Sequence, residues 1–262
     1  MALDRLDKIL SHQGFGSRKD VKRLCHSGVV FINGKIVTDP GIKIDISKDK
    51  VFIEGKELTL LDDVYIMMNK CQNVVSANKD GEHETVFDLI DDSLKHKFSG
   101  GYLHCVGRLD IDTEGLLLLT TDGELTHKLL SPKTHIPKTY AVGLKNKLSD
   151  EEKNEYISKF SKGFFVSPEG KESGFDCQPS KLTFLNDEKP DFVEKNSSGK
   201  ADCLLTIYEG KFHQVKRMFL ECQNEVQYLK RVKMGELSLD SSIKLGEYRL
   251  LTEEEISILK SN

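Results

Sequence analysis

Three short stretches of this chain gather residue types that could carry chemistry. The first is Gly107-Arg108-Leu109-Asp110-Ile111-Asp112-Thr113-Glu114-Gly115, with three acids and an arginine. A strand-like run precedes it and the apolar run Leu116–Leu119 follows. The acids therefore sit in a loop between two buried strands, a place where a rigid scaffold commonly holds reactive groups. On spacing alone, a solvated polar turn is the plainer reading. Asp110 and Asp112 also suggest a glycosidase-like acid–base pair. In a strand the two would share a face, but here they fall in a turn.

The second stretch is Glu209-Gly210-Lys211-Phe212-His213-Gln214-Val215-Lys216-Arg217-Met218-Phe219. A strand enters it and a helix leaves it. Lys211, His213, Lys216 and Arg217 place several donors at a helix start, where the backbone also favours anions. An ordinary basic first turn has the same composition. The third stretch, Ser131 to Tyr140, is a basic loop leading into a strand with Tyr140 at the junction. A tyrosine there is more often core, but a flat ring can stack on an exposed base. A fourth group, Lys230-Arg231-Val232-Lys233, alternates as an exposed strand edge would.

What is missing narrows the chemistry. There is no P-loop, no G-x-G-x-x-G and no G-x-S-x-G. None of the eight histidines pairs with another at metal-ligand spacing. The expectation is chemistry carried by side chains, with no cofactor and no metal. The six cysteines are irregularly spaced without a C-x-x-C pair and read as reduced thiols. Net charge is −4, so binding to nucleic acid would need positive charge gathered into patches. No apolar run approaches the ~20 residues that span a bilayer, and the charged N-terminus lacks a signal core. A cytoplasmic protein is expected.

The positioning elements follow from periodicity. Leu3, Leu6, Ile9 and Leu10 recur at helical spacing, and Gly14 and Gly16 break the chain. Ser17, with Asp20 three residues on, starts a second helix. Val21, Leu24 and Cys25 share one of its faces, while Arg18, Lys19, Lys22 and Arg23 form a basic face suited to phosphate. Asn33-Gly34 between two apolar runs marks a hairpin. Residues 45–63 read as the end of this small domain and a linker, which gives domains 1–62 and 63–262.

Beyond it, strands are expected at 64–68, 102–106, 116–120, 139–144, 181–185, 201–208, 227–232 and 248–251. Helices are expected at 85–90, 124–130, 149–162, 212–222 and 252–259, and a loop at 186–200. Strands outnumber helices without a regular strand–helix repeat. The fold class is therefore α+β: a helix–helix–hairpin domain, then a mixed, mostly antiparallel sheet with flanking helices.

The loop Gly107-Arg108-Leu109-Asp110 with Asp112, Thr113 and Gly115 resembles the signature of a ribosomal RNA pseudouridine synthase family, that of ribosomal small subunit pseudouridine synthase A. Lys138-Thr139-Tyr140 is similar to its tyrosine motif, Glu209 to Phe219 to its basic motif, and Gly246-Glu247-Tyr248-Arg249-Leu250 to its ending. The N-terminal unit resembles the S-four RNA-binding domain these enzymes carry. The resemblance runs in order along nearly the whole chain. The family usually shows Asn-Lys-Pro after its first strand, where this chain has Asn69-Lys70-Cys71; losing the proline frees the local backbone.

The resemblance implies an isomerase for a specific uridine of ribosomal RNA, of the uridine 516 type in 16S RNA. A large-subunit 23S enzyme and a non-catalytic ribosomal RNA-binding or assembly protein stand as alternatives. The reaction breaks the ribose–base bond, rotates the base and rejoins it through ring carbon five, so no cofactor is implied. Asp110 is the implied catalytic carboxylate, attacking ribose or base or removing a proton, with Lys216 as the cation beside it. Tyr140 would stack on the base and Leu229 pack opposite. Arg108 would fill the space the flipped base leaves, and His213 and Arg217 would join in substrate binding. The implied partner is ribosomal RNA, within an assembly intermediate, bound by a monomer.

Overall fold

The computed structural model describes residues 3–45, 48–58, 63–91, 103–186 and 195–261, together with Leu94 and Val193. The described residues form two compact units. One is built from the segment up to Val64, with residues of Ile90–His104 and Thr120–Asp122; the other contains the rest.

The first unit holds β1 (Asp4–Arg5), α1 (Leu6–His12), α2 (Arg18–His26), β2 (Val30–Ile32), β3 (Lys35–Ile36), β4 (Lys43–Ile44), β5 (Val51–Ile53) and β6 (Lys56–Glu57). Ser17 and Asp20 close a reciprocal capping box at the start of α2. Leu6, Ile9 and Leu10 of α1 and Val21 and Cys25 of α2 pack on Val30, Ile32, Ile44, Val51 and Ile53. The Asn33-Gly34 turn has positive φ at both residues, 50° and 79°, the conformation that tight hairpins require. Within residues 45–63, read as the end of the small domain and a linker, β5 and β6 join the sheet β3-β2-β5-β6. Their turn, Glu54-Gly55, repeats the conformation of the first, with φ 49° and 78°.

The second unit is organised by one sheet. Its strands are β7 (Tyr65–Lys70), β8 (His104–Cys105), β9 (Glu114–Thr120), β10 (Lys138–Leu144), β13 (Lys181–Phe184), β14 (Cys203–Ile207), β15 (Val226–Met234), β16 (Leu237–Ser238) and β17 (Tyr248–Leu250), with β11 (Phe165–Val166) and β12 (Phe175–Asp176) paired separately. The order is β13-β14-β10-β15-β9-β7-β17. Neighbours pair antiparallel from β13 to β15 and between β7 and β17. β15 and β9 run parallel, Lys230 opposite Glu114 and Arg231 opposite Gly115. The mixed, mostly antiparallel sheet expected from the sequence is the one that forms. The helices are α3 (Gly123–Leu130), α4 (Asp150–Lys162), α5 (Gln214–Leu220) and α6 (Glu253–Ser261). Leu116 and Leu118 of β9 anchor a core with Met67, Leu125, Leu129, Met234 and Leu259.

Several expectations are corrected. Residues 85–90 do not form a helix: the Asp88 carboxylate accepts from both the backbone and the hydroxyl of Thr85, which closes a single turn, and Val86 donates to Val75 instead. The strand expected at 102–106 is confined to His104–Cys105, and Tyr102 lies outside the described residues, as do residues 187–192 and 194 of the expected loop. The helix expected at 212–222 starts later, because His213 is left-handed at φ 46°. Lys230 and Arg231 do not lie on an exposed edge. β15 is flanked by β10 and β9, and the two residues are 0% and 3% exposed.

Candidate active site

The loop from Gly107 to Gly115 is held from behind by its main chain. Lys70, the last residue of β7, is completely buried. Its ammonium donates to the carbonyls of Cys71, Asp110 and Thr113 at 3.0, 3.1 and 3.0 Å, and to Ile111 at 3.4 Å. Burial pushes this lysine down to about 8, against partial support from nearby acids. Ser76 adds a two-way clamp, its hydroxyl donating to the Leu109 carbonyl and accepting from the Leu109 amide. The Asn73 amide donates to Ile111. The Thr113 amide closes the turn onto the Asp110 carbonyl at 3.0 Å. At the exit, Gly115 has φ +98°, and a Cβ there would lie 2.2 Å from the Arg231 carbonyl oxygen. Only glycine fits.

This framework leaves the Asp110 side chain free to face α5. The Lys216 ammonium lies 3.1 Å from Asp110 Oδ2 and 2.6 Å from Asp112 Oδ1. Burial pulls Lys216 down, but hydrogen bonding and charge from the two aspartates outweigh it and hold the lysine above its ordinary value. His213 Nε2 is 4.0 Å from Asp110 Oδ1, and its Nδ1 is 3.4 Å from Glu169.

A small cleft opens beside Asp110, bounded by Tyr140, Ile207, Leu229, Thr113 and Arg108. Tyr140 pairs with Arg231 across the sheet and Val142 with Leu229. Tyr140 and Leu229 are thus diagonal neighbours on one face, within reach of each other. Both are buried, at 9% and 5% exposure. Arg108 is exposed at the mouth.

Asp110, Tyr140, Arg108, Leu229 and His213 therefore line one cleft, and Lys216 joins them through its contact with Asp110. Arg217 does not. It is 4% exposed, and its guanidinium donates to the carbonyls of Ser167, Ser173 and Phe212 and lies over the Phe175 ring. It braces the segment around β11 and β12 instead of the cleft. The remaining candidates, Arg18, Lys19, Lys22 and Arg23, are exposed on α2 of the other unit, where Arg23 pairs with Asp20 at 3.2 Å.

Three further residues of the stretches quoted from the sequence, given no role there, hold nearby backbone and side chains in place. Gln214 receives the Lys211 amide and donates to Glu209, fixing the turn before α5. Glu114, fully buried, accepts from Tyr228 at 3.0 Å and from Ser198. Lys230 is buried among carbonyls of Lys195 and Asn196 and the Ser197 hydroxyl.

Comparison with known proteins bears on this arrangement. Residues 64–221 match the family model described as RNA pseudouridylate synthase, and residues 4–51 match the S4 domain. An uncharacterised RNA pseudouridine synthase of Bacillus subtilis (strain 168) is 43% identical over 257 residues, covering 97% of this chain and 98% of the relative. Ribosomal small subunit pseudouridine synthase A of Haemophilus influenzae is 36% identical over 256 residues, covering 97% and 99%. A crystal structure of a pseudouridylate synthase superposes with a TM-score of 0.63 at 36% identity, over 97% of this chain and 99% of that one. Among the described residues, no helix is long and apolar enough to cross a membrane.

Proposed function

We propose that this chain, which belongs to the RNA pseudouridylate synthase family, isomerises a uridine of small-subunit ribosomal RNA with Asp110 as its catalytic carboxylate. The membership makes it an RNA pseudouridine synthase carrying an RNA-binding S4 domain. The finer target, a uridine of the 516 type, rests on similarity to proteins named for the small subunit.

The observation that carries the reading is the contact at 3.1 Å between Lys216 and Asp110, a residue that lines the cleft. The uridine leaves its helix to enter, at a cost of a few kcal/mol. Its base lies between Tyr140 and Leu229. Arg108, at the mouth, occupies the vacated stack. Lys216 supplies the cation that keeps the reacting carboxylate oriented, while Asp112 holds that lysine from its other side. His213 borders the same carboxylate. Arg217 acts as a positioning residue for the turn that follows β14. The exposed cations Arg18, Lys19, Lys22 and Arg23 of the S4 domain hold phosphates elsewhere on the RNA. The same reading takes a ribosome-assembly intermediate as the substrate, met by a monomer in the cytoplasm.

The test incubates the chain with unmodified small-subunit RNA and maps pseudouridine by carbodiimide-blocked primer extension. A single new stop is expected with the wild-type chain and none with Asp110→Asn. Product from the Asp110→Asn variant would remove the catalytic assignment. A stop found only in large-subunit RNA would remove the target.

A further inference from the structure

Beside the cleft runs an open trough that shares Arg108, Asp110 and His213 with it and continues past Phe212 to Lys138 and Pro132. Two features of this trough are left over once the target base is accommodated. Phe212 is 47% exposed, with one face stacked on the His213 ring at 3.7 Å and 24°. His213 adopts its left-handed backbone, a conformation that costs a non-glycine residue energy and sets the imidazole under the phenyl ring.

Lys138 is only 6% exposed. Its ammonium donates to the Ile136 carbonyl, and among the described residues it has no carboxylate partner. Its charged neighbour is Arg231, also buried, whose Nη2 has no hydrogen-bond partner. Buried cations are ordinarily paired. Two together with no ion pair to an acid among the described residues leave a place for an anion, and Lys138 lines the trough.

We propose that the trough is a subsite for the unpaired RNA strand flanking the target uridine, with one base stacked on Phe212 and one backbone phosphate held by Lys138. An aromatic platform next to a cation is how single-stranded nucleic acid is gripped without sequence readout. A phosphate at Lys138 supplies the missing counter-charge, and the His213 ring backs the platform. The inference rests on the proposed RNA substrate and adds where that RNA runs next to the reacting base.

The test measures equilibrium binding of the full chain to an unmodified small-subunit RNA transcript by filter retention across a salt series. Phe212→Ala is expected to weaken binding roughly fivefold to a hundredfold, the range for one stacked base, and Phe212→Tyr to retain it. Lys138→Met is expected to lower the slope of log affinity against log salt by about 0.7, one phosphate contact. Lys138→Arg should keep the slope, which a purely structural role would not require. Wild-type affinity in Phe212→Ala, or a wild-type slope in Lys138→Met, overturns the subsite. Pseudouridine formation by the wild-type chain in the same transcript tests the substrate reading separately. An empty trough beside a working enzyme is thereby distinguished from a wrong choice of RNA.

Discussion

Lys70 donates from its ammonium to the main-chain oxygen of Asp110 across 3.1 Å. A fully buried cation thus fixes the residue proposed to do the chemistry through its backbone, leaving its carboxylate to face the cleft. Replacing Lys70 by Met removes this donor from the Cys71 and Thr113 carbonyls, at about 1–3 kcal/mol for each left unpaired and buried, while Asp110 and Ile111 keep the Thr113 and Asn73 amides. The variant should lose up to about 10²-fold in single-turnover rate, the usual penalty for a misplaced reacting group.

The same lysine gives a pH signature. Its folded-state value is about 8, below the ordinary 10.5, so between those values the unfolded chain binds more protons. Stability from this group therefore rises with pH across that window, by at most about 1.4 kcal/mol per unit of depression. The difference in urea-unfolding free energy, wild type minus Lys70→Met, should grow from pH 8 to pH 10. A difference that is flat or shrinks would show that Lys70 is not depressed.

Lys216 holds Asp110 and Asp112 together. Lys216→Met should reduce the turnover rate by about 10²-fold or more with a much smaller change in RNA affinity. Asp112→Asn leaves the Asp110 contact in place and should cost no more than about tenfold. Equal losses in the two variants would argue against Asp110 as the partner that matters.

Gly115 sits where the loop that carries Asp110 passes the backbone of β15. Gly115→Ala must displace the Arg231 carbonyl at a positive φ, and should destabilise the chain by about 2–4 kcal/mol. A denaturant midpoint within error of wild type would contradict the close approach.

Arg217 and Arg108 should separate cleanly. Arg217→Met leaves the Ser167 and Ser173 carbonyls unpaired and should lower the thermal midpoint, with a loss of about 1–3 kcal/mol, while the salt slope of RNA binding stays put. Arg108→Met, at an exposed position, should leave the melt unchanged and weaken RNA binding. The opposite pattern would return Arg217 to the substrate.

The sequence was most legible where local chemistry decides structure. The Ser17–Asp20 box and the Asn33-Gly34 turn folded as their residues suggest, and Asp110 and Asp112 lie in a loop, while Glu114 instead begins β9 and is buried. It was least legible where a side chain's partner is a distant main-chain atom. Lys70 ends a strand and looks like an element boundary, because nothing near it in sequence reveals the carbonyls 40 to 43 residues away. Arg217 lies in a basic run that looks uniform, although its guanidinium turns inward. The alternation Lys230-Arg231-Val232-Lys233 suggests a wet edge because burying lysine needs oxygen acceptors, and the loop at 195–197 that supplies them shows no periodicity. At 85–90, one carboxylate bonding back to Thr85 was enough to stop a helix.

The clamp on the loop that carries Asp110 reaches carbonyl oxygens, which every amino acid carries. The location of that carboxylate is therefore set by Lys70 and Ser76 rather than by the residues at the exposed rim. The rim proposed to touch RNA can change its residues, and hence its preferred partner, without moving the carboxylate. An ancestral enzyme built this way could diverge toward new sites on RNA by altering its outer surface alone.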